Sequence, residues 1–289
     1  MTKTRFVCLV AAISMVGMAC GGGSAPAEEE QATTGGSETT VVAEPAPPPP
    51  PPIRPVPVRV IHLAGAAGAT AVTAAAGSPE APLASIPDVG YKSASAYAEV
   101  TPPTATGTVP VTVTAGEATA TFEAPYREGT PATLIVVTNP QDPTQIVINA
   151  TEDDPTTVMG QMRGRFVNAL IGTETIDFCL PGATRRDPGR PIFTAVGYGQ
   201  VAGTATANHY IPVSLTGGGR LQVRVGVPER GCTGRLIGTA DIPAPDPNIA
   251  HNLTLAVVGR LSGRPAVARE LLVCEDAPNA SACAAIPLQ

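Results

Sequence analysis

Three histidines, six cysteines and two short acidic runs are the residues of this chain that could do chemistry. His62, His209 and His251 lie far apart in stretches that read as strands, and a general base needs a partner within hydrogen-bond reach. There is no Gly-x-Ser-x-Gly elbow and no Ser-x-x-Lys, so neither nucleophile architecture has a basis here. Gly197-Tyr198-Gly199 with Gly203 approaches a dinucleotide loop in spacing, but no helix follows, and these glycines read as turn or bulge positions. Glu152-Asp153-Asp154 and Glu275-Asp276 offer the oxygen ligands that calcium takes, yet they are expected to be solvated acidic turns. No Cys-x-x-Cys occurs, which removes the usual ligand pairs of a zinc site. The expectation is a non-enzymatic chain with no catalytic residue, no metal and no cofactor.

The cysteines divide by position. Cys8 lies inside an apolar run, Phe6–Ala19, that follows Lys3 and Arg5 and ends at Cys20-Gly21-Gly22-Gly23. A cationic start, a short apolar core and small residues before a cleavage point make a secretory signal over residues 1–19, too short to span a bilayer. Gly17-Met18-Ala19-Cys20 resembles a lipobox, with Gly where Leu is usual. Two outcomes fit: cleavage with lipidation of Cys20, or ordinary signal-peptidase cleavage that frees the chain. Cysteine arithmetic favours the first. Cys179, Cys232, Cys274 and Cys283 form an even set, and lipidation explains the odd exported Cys20. A lipid membrane, reached through acyl chains such as palmitate on Cys20, is the first expected partner. Gly21 rather than Asp after the cysteine resembles an outer-membrane sorting signal. The four remaining cysteines are expected in disulfides, as suits an exported body. Three pairings are possible.

Residues 20–56 are mostly Gly, Ser, Thr, Ala, Glu and Pro, with an unbroken proline run from Pro47 to Pro52. Such a segment cannot bury enough apolar surface to offset chain entropy, and it reads as a disordered, Pro-rich tether. Its proline part would rise about 3.1 Å per residue as a polyproline II rod.

The body beyond the tether carries an internal repeat. Val58-Arg59-Val60-Ile61-His62 matches Gly164-Arg165-Phe166-Val167-Asn168, and Val89-Gly90-Tyr91 recurs as Val196-Gly197-Tyr198. Val111-Thr112-Val113 pairs with Val223-Arg224-Val225, and Thr133–Val137 with Thr254–Val258. Glu152-Asp153-Asp154-Pro155 echoes Glu275-Asp276-Ala277-Pro278. Five matches in one order indicate duplicated domains rather than a solenoid of short units. The boundaries are read as repeat 1 over residues 57–159 and repeat 2 over 160–289, the latter ending in a cysteine clasp. The repeat favours pairing Cys179 with Cys232 and Cys274 with Cys283.

Both copies read as strands. Val58, Val60 and His62 alternate with other residues, as do Val109, Val111 and Val113, and Leu221, Val223 and Val225. The continuous apolar runs Leu134–Val137 and Leu255–Val258 fit strands buried on both faces. Gly, Pro, Asn and Asp clusters punctuate the strands at short intervals, and no helical period survives the prolines. The expected fold is all-β, two tandem immunoglobulin-like β-sandwich repeats. Tyr91, Tyr198, Val136 and Val257 are expected to face the sandwich cores. The extra length of repeat 2 is expected as loops near Arg185–Arg190 and Pro243–Ala250.

The basic-apolar first strand, the mid-domain Val-Gly-Tyr, the Val-x-Val strand and the Thr-Leu-x-Val-Val strand together resemble the bacterial domain of unknown function 4397. The resemblance spans about Pro57–Pro155 and Arg163–Pro278, and it is stronger in repeat 2, where Asp177-Phe178-Cys179-Leu180 and Gly231-Cys232 resemble cysteine-bearing members. Repeat 1 departs at Ala71–Ala76 and lacks the cysteines. The resemblance implies tandem β-sandwiches in an exported protein and implies no activity.

Charge is uneven. Residues 20–162 hold four basic and fifteen acidic side chains, whereas residues 163–289 hold twelve Arg and nine acidic side chains. Arg185, Arg186 and Arg190 cluster, and guanidinium groups fork onto carboxylate, phosphate and sulfate. They form a candidate ligand-binding set for an anionic envelope glycan or a surface protein. The alternative is that arginines pair across the two copies. The overall charge of −6 and the exported setting exclude nucleic acid as a partner. The functional expectation is a membrane-anchored envelope lipoprotein with binding or structural modules; an exported, hydrolase-like enzyme is the second reading. Cys20→Ser should abolish metabolic labelling with palmitate and move the chain from the membrane to the soluble fraction. Undiminished labelling after the change would overturn the anchor.

Overall fold

The structure is a computed structural model. It describes residues 51–289 other than 66–70, 79, 155, 157–158, 160–161, 183–188, 203–209, 214–218, 244–250, 263–266 and 278–281. The signal, Cys20, most of the tether, Arg185, Arg186, His209 and the side chain of His251 therefore lie outside the described residues. Residues 50–289 form one compact unit. No helix occurs among the described residues, and none of its elements is a helix long and apolar enough to cross a membrane.

The strands of the first repeat are β1 (Val56–His62), β2 (Ala71–Ser78), β3 (Ala81–Gly90), β4 (Ser93–Ala94), β5 (Ala98–Val100), β6 (Thr106–Ala115), β7 (Ala118–Arg127), β8 (Ala132–Thr138) and β9 (Ile146–Glu152). Those of the second are β10 (Met162–Ile171), β11 (Thr175–Leu180), β12 (Arg190–Gly197), β13 (Val201–Ala202), β14 (Ile211–Pro212), β15 (Gly219–Val225), β16 (Leu236–Ile242), β17 (His251–Arg260), β18 (Glu270–Glu275) and β19 (Cys283–Pro287).

Each repeat is a pair of sheets with the same connectivity. In the first, one sheet has the order β4-β1-β8-β9 with β5 also on β1, and the other the order β3-β2-β6-β7. In the second, β13-β10-β17-β18-β19 with β14 on β10 makes one sheet, and β12-β11-β15-β16 the other. All pairings are antiparallel except two in equivalent places, β1 with β8 and β10 with β17. Registers correspond as well: Arg59 lies opposite Thr133 and Arg165 opposite Thr254.

Alternation on the first and eighth strands of each repeat builds two cores at once. Val60, Leu134 and Val136 point into the sandwich of repeat 1, and Phe166, Leu255 and Val257 into that of repeat 2. Their neighbours Ile61, Ile135, Val137, Val167, Ala256 and Val258 form a third core shared by the repeats. The two sheets that carry the parallel pairs are thus packed on each other, which is why their strands are continuously apolar. Val136 and Val257 face the sandwiches as expected. Tyr91 and Tyr198 do not: they sit in the turns after β3 and β12, and Tyr198 packs against the shared core.

The two loops expected to hold the added length of repeat 2, near Arg185–Arg190 and Pro243–Ala250, fall largely outside the described residues, and length is added elsewhere as well. Gly226–Arg235 connects β15 to β16 where Gly116-Glu117 suffices between β6 and β7. β19 adds an edge strand to β18, and Thr239 and Gln289 exchange two backbone bonds of 3.0 Å that bring the C-terminus onto β16. Because both faces of β8 are buried, Leu134→Ala and Ile135→Ala should each cost about 2–5 kcal/mol. Chemical denaturation of the two variants checks this; a neutral effect at either residue would mean that face is solvated.

Candidate functional site

Arg59 and Arg165 hold the same place in the two repeats, and both are fully buried. Each lies on the strand face that looks away from its own sandwich, beside Ile61 and Val167 of the shared core. A guanidinium stays protonated at any ordinary pH, so its burial demands a carboxylate and well-placed acceptors.

Those groups come from both repeats. Arg59 donates from Nε to Thr133 Oγ1 at 3.0 Å and from Nη1 to the carbonyl of Glu275 at 2.8 Å. Its Nη2 pairs with the carboxylate of Asp276. Arg165 donates from Nε to Thr254 Oγ1 at 2.7 Å and from Nη1 to Asp153 Oδ1 at 2.6 Å. Each arginine thus bonds the threonine of its own repeat and the aspartate of the other. Arg165 Nη2 also lies 3.6 Å from Asp276 Oδ2.

The carboxylates are held from their own side. Thr133 Oγ1 donates to Asp153 Oδ2 at 2.7 Å, and the Tyr97 hydroxyl donates to the same oxygen at 2.5 Å. Thr254 Oγ1 donates to Asp276 Oδ2 at 2.8 Å, and the Tyr210 hydroxyl donates to Asp276 as well. The tyrosine rings cover the cations, with Arg59 Cζ 5.0 Å from the Tyr97 centroid and Arg165 Cζ 4.8 Å from that of Tyr210. Stacking of this kind adds to the ion pairs where water is excluded.

Electrostatics follow the burial. Removal from water would raise the Asp153 carboxyl, but Arg165 and then Arg59, with bonds from Tyr97 and Thr133, hold it below the usual carboxylate range. Burial and the nearby Asp153 charge push the Tyr97 phenol far above its ordinary value. Tyr210 is also raised, by burial foremost, against the pull of Arg165. Burial lowers the proton affinity of Arg59, whereas the field of Asp153 leaves Arg165 raised despite complete burial. Both aspartates accept bonds from both repeats, so the cluster ties the repeats in register.

An outer ring of contacts repeats the symmetry. The turn after β3 places Lys92 against Glu270 of β18, and the turn after β12 places the carbonyl of Gly199 on the side-chain amide of Asn149 in β9. Arg163 donates to Asp154 at 2.7 Å, and Asn252 to the Asp154 carbonyl at 2.8 Å.

The sequence-predicted residues fall as follows. Cys179 is bonded to Cys232, and Cys274 to Cys283. Arg190 is exposed at the start of β12. His62 is buried with its ring 5.7 Å from that of Tyr91, far from the role of a solvent-facing base. Asp153 and Asp276 overturn the reading of solvated acidic turns: Asp153 is 4 % exposed and the Asp276 side chain 1 %. Among the described residues no three His, Cys, Asp or Glu side chains converge on a metal position. Arg59, Arg165, Tyr97 and Tyr210 had no role assigned from sequence. The signal was present as an arginine in the middle of each apolar first strand and an acidic pair after each last one. Pairing of arginines across the copies, weighed above against a ligand role, holds for Arg59 and Arg165.

A groove of about 540 Å³ opens between the edges of β3 and β4–β5, lined by Ser85, Asp88, Ser93 and Ser95. Tyr97 also lines it, with its hydroxyl bonded to Asp153. Compared with known proteins, the chain matches no family model and no curated protein.

Removing one partner of a buried ion pair leaves a charge unpaired, so Arg165→Ala should cost about 3–5 kcal/mol. Arg165→Met combined with Asp153→Leu should recover part of that loss, measured by urea denaturation at pH 7. A double-variant cost equal to the sum of the two single-variant costs would show that the two groups are not coupled. Asp153 also sets an acid limit. Its folded pKa is depressed, so its contribution is full above the unfolded value of about 3.9 and is lost as pH falls through the folded value. Thermal midpoints taken downward from pH 5 should fall more steeply in the native chain than in the Asp153→Asn variant.

Proposed function

We propose that the chain is a membrane-anchored bacterial envelope lipoprotein whose paired β-sandwich repeats act as one binding or structural module. The observation that carries this reading is the charged junction. Arginines, aspartates, threonines and tyrosines that could have served a reaction are spent on locking two repeats together, each arginine being satisfied only when the other repeat is in place. The two disulfides belong to an oxidising, extracytoplasmic compartment. The lipobox-like Gly17–Cys20 and the Pro-rich tether support anchoring at the outer membrane, with the body held away from the bilayer. The resemblance to the domain of unknown function 4397, and with it an immunoglobulin-like sandwich type, rests on the motifs quoted above.

Binding and catalysis separate in one experiment. The Cys20→Ser chain, soluble and otherwise complete, is incubated with purified envelope polysaccharide fractions. The expected result is co-sedimentation with at least one fraction and no change in its chain length. Depolymerisation of any fraction would replace this reading with that of an exported hydrolase.

A further inference from the structure

The duplication supplies an internal comparison. The strands β2, β3, β6 and β7 stand without cover on their outer face, where Thr73 is exposed and Thr112 bonds Thr121 at 3.2 Å. In repeat 2 the positions of Thr73 and Ala75 are taken by Asp177 and Cys179, and both are fully buried. What buries them is the segment Gly226–Arg235. It is fastened by Cys232 to Cys179, and Asp177 accepts the backbone N–H of Cys232 at 2.9 Å and that of Ala195 at 2.7 Å. Arg224 donates to the carbonyl of Gly234 at 3.0 Å. Residue 231 lies against Pro191 and Thr194 of β12.

Repeat 1 shows that the sandwich needs none of this. The segment nevertheless holds two non-glycine residues in left-handed backbone, Glu229 at φ +64° and Cys232 at φ +65°. Such conformations persist only where surrounding structure imposes them, and they gather at binding sites. What the segment adds to the surface is charge. Arg230 and Arg235 are exposed, as is Arg190, which adjoins Pro191. Among the described residues none of the three has an ion-pair or hydrogen-bond partner for its guanidinium. Arg220, by contrast, is bonded to Asp241 at 2.9 Å, and Arg163 and Arg165 are consumed at the junction. Glu229 is the acidic neighbour, exposed on the same loop.

We infer that the disulfide-fastened loop Gly226–Arg235, together with Arg190, is a binding element for an anionic polysaccharide, engaging its phosphate or sulfate groups through Arg190, Arg230 and Arg235. This rests on the reading of the body as a binding module and names its ligand chemistry. Guanidinium groups fork onto oxyanions, and a loop ordered beforehand loses little freedom on binding. A polyanion offers repeated charges to arginines spread over this sheet, from β12 at one edge to the start of β16 at the other. Binding through exposed ion pairs should weaken with salt.

The test uses the soluble Cys20→Ser chain and its Arg190→Glu, Arg230→Glu, Arg235→Glu triple variant. The probes are heparin, dextran sulfate, neutral dextran, and vesicles of neutral or anionic phospholipid. The expected result is salt-sensitive binding of the two sulfated polymers, weakened at least tenfold in the triple variant, with no binding of neutral dextran. Unchanged thermal midpoints and an intact Cys179–Cys232 bond by peptide mapping keep the comparison free of misfolding. Equal binding by both chains overturns the loop assignment and leaves the binding reading standing. Binding to anionic vesicles but not to the polymers overturns the polysaccharide and assigns the oxyanion to lipid. No binding to any probe overturns this inference and leaves the module a structural one.

Discussion

Two positive charges with no access to water govern this molecule. Arg59 and Arg165 sit on central strands, and each takes its shortest ion pair from the aspartate of the other repeat. Separation of the repeats would leave both cations facing bulk water next to the apolar surface of Ile61, Ile135, Val167 and Ala256. The apolar contact supplies attraction without direction, whereas the crossed ion pairs admit one register. An offset of a single residue along β1 would flip Arg59 into the sandwich core and bring Val60 to the junction. Apolar packing and buried charge therefore do separate work: the first brings the sheets together, and the second decides how they sit.

The same constraint explains features that look unrelated. The parallel pairing of β1 with β8 and of β10 with β17 puts Arg59 beside Thr133 and Arg165 beside Thr254. Each threonine then relays between arginine and aspartate, accepting one bond and donating the other. The tyrosines complete the shell, because a carboxylate oxygen facing only one guanidinium would still lack partners. Their phenols lie far above the usual titration range for the reason that keeps Asp153 below its own: the cluster admits the charge pattern of two cations and two anions and disfavours a third anion.

Much of the fold was legible in the sequence because it follows from periodicity. Alternation gave the strands, and Leu134–Val137 and Leu255–Val258 announced double-sided burial before any neighbour was known. Four of the five ordered matches gave equivalent positions, including the correspondence of β1 to β10 and of β8 to β17, whereas the Val-x-Val match was two residues off: Val113 lies opposite Ala74 as Val223 lies opposite Phe178, so Val111 and Val113 correspond to Leu221 and Val223. The junction was less legible. Arg59 and Arg165 were visible as repeated residues, but nothing local says that Arg59 will find its counter-ion in Asp276, more than two hundred residues on, or that Arg165 will take Asp153 from the other repeat. The acidic runs misled for the same reason: Glu-Asp-Asp-Pro looks like a solvated turn unless the opposing surface is known. Tyr91 and Tyr198 misled differently, since a repeated aromatic suggests a core and these two instead fill the rim where turns meet the other repeat. The loop Gly226–Arg235 could be read only in part, because a cysteine pattern tells which residues join and not which surface the joined segment covers.

The entry point of the body also has a mechanical meaning. The chain passes from its Pro-rich stretch directly into β1 at Val56, and β1 is flanked by β8 on one side and by β4 and β5 on the other. A force applied along the axis of β1 would load its bonds to both neighbours together in shear and would not open them one after another like a zipper. Arg59 sits midway along that strand and is tied to residues at the far end of the chain, so displacement of β1 would drag against repeat 2 as well. A load applied through the N-terminal segment would thus enter the body at a strand held on both sides, ahead of the outward-facing sheets and the loop that covers one of them.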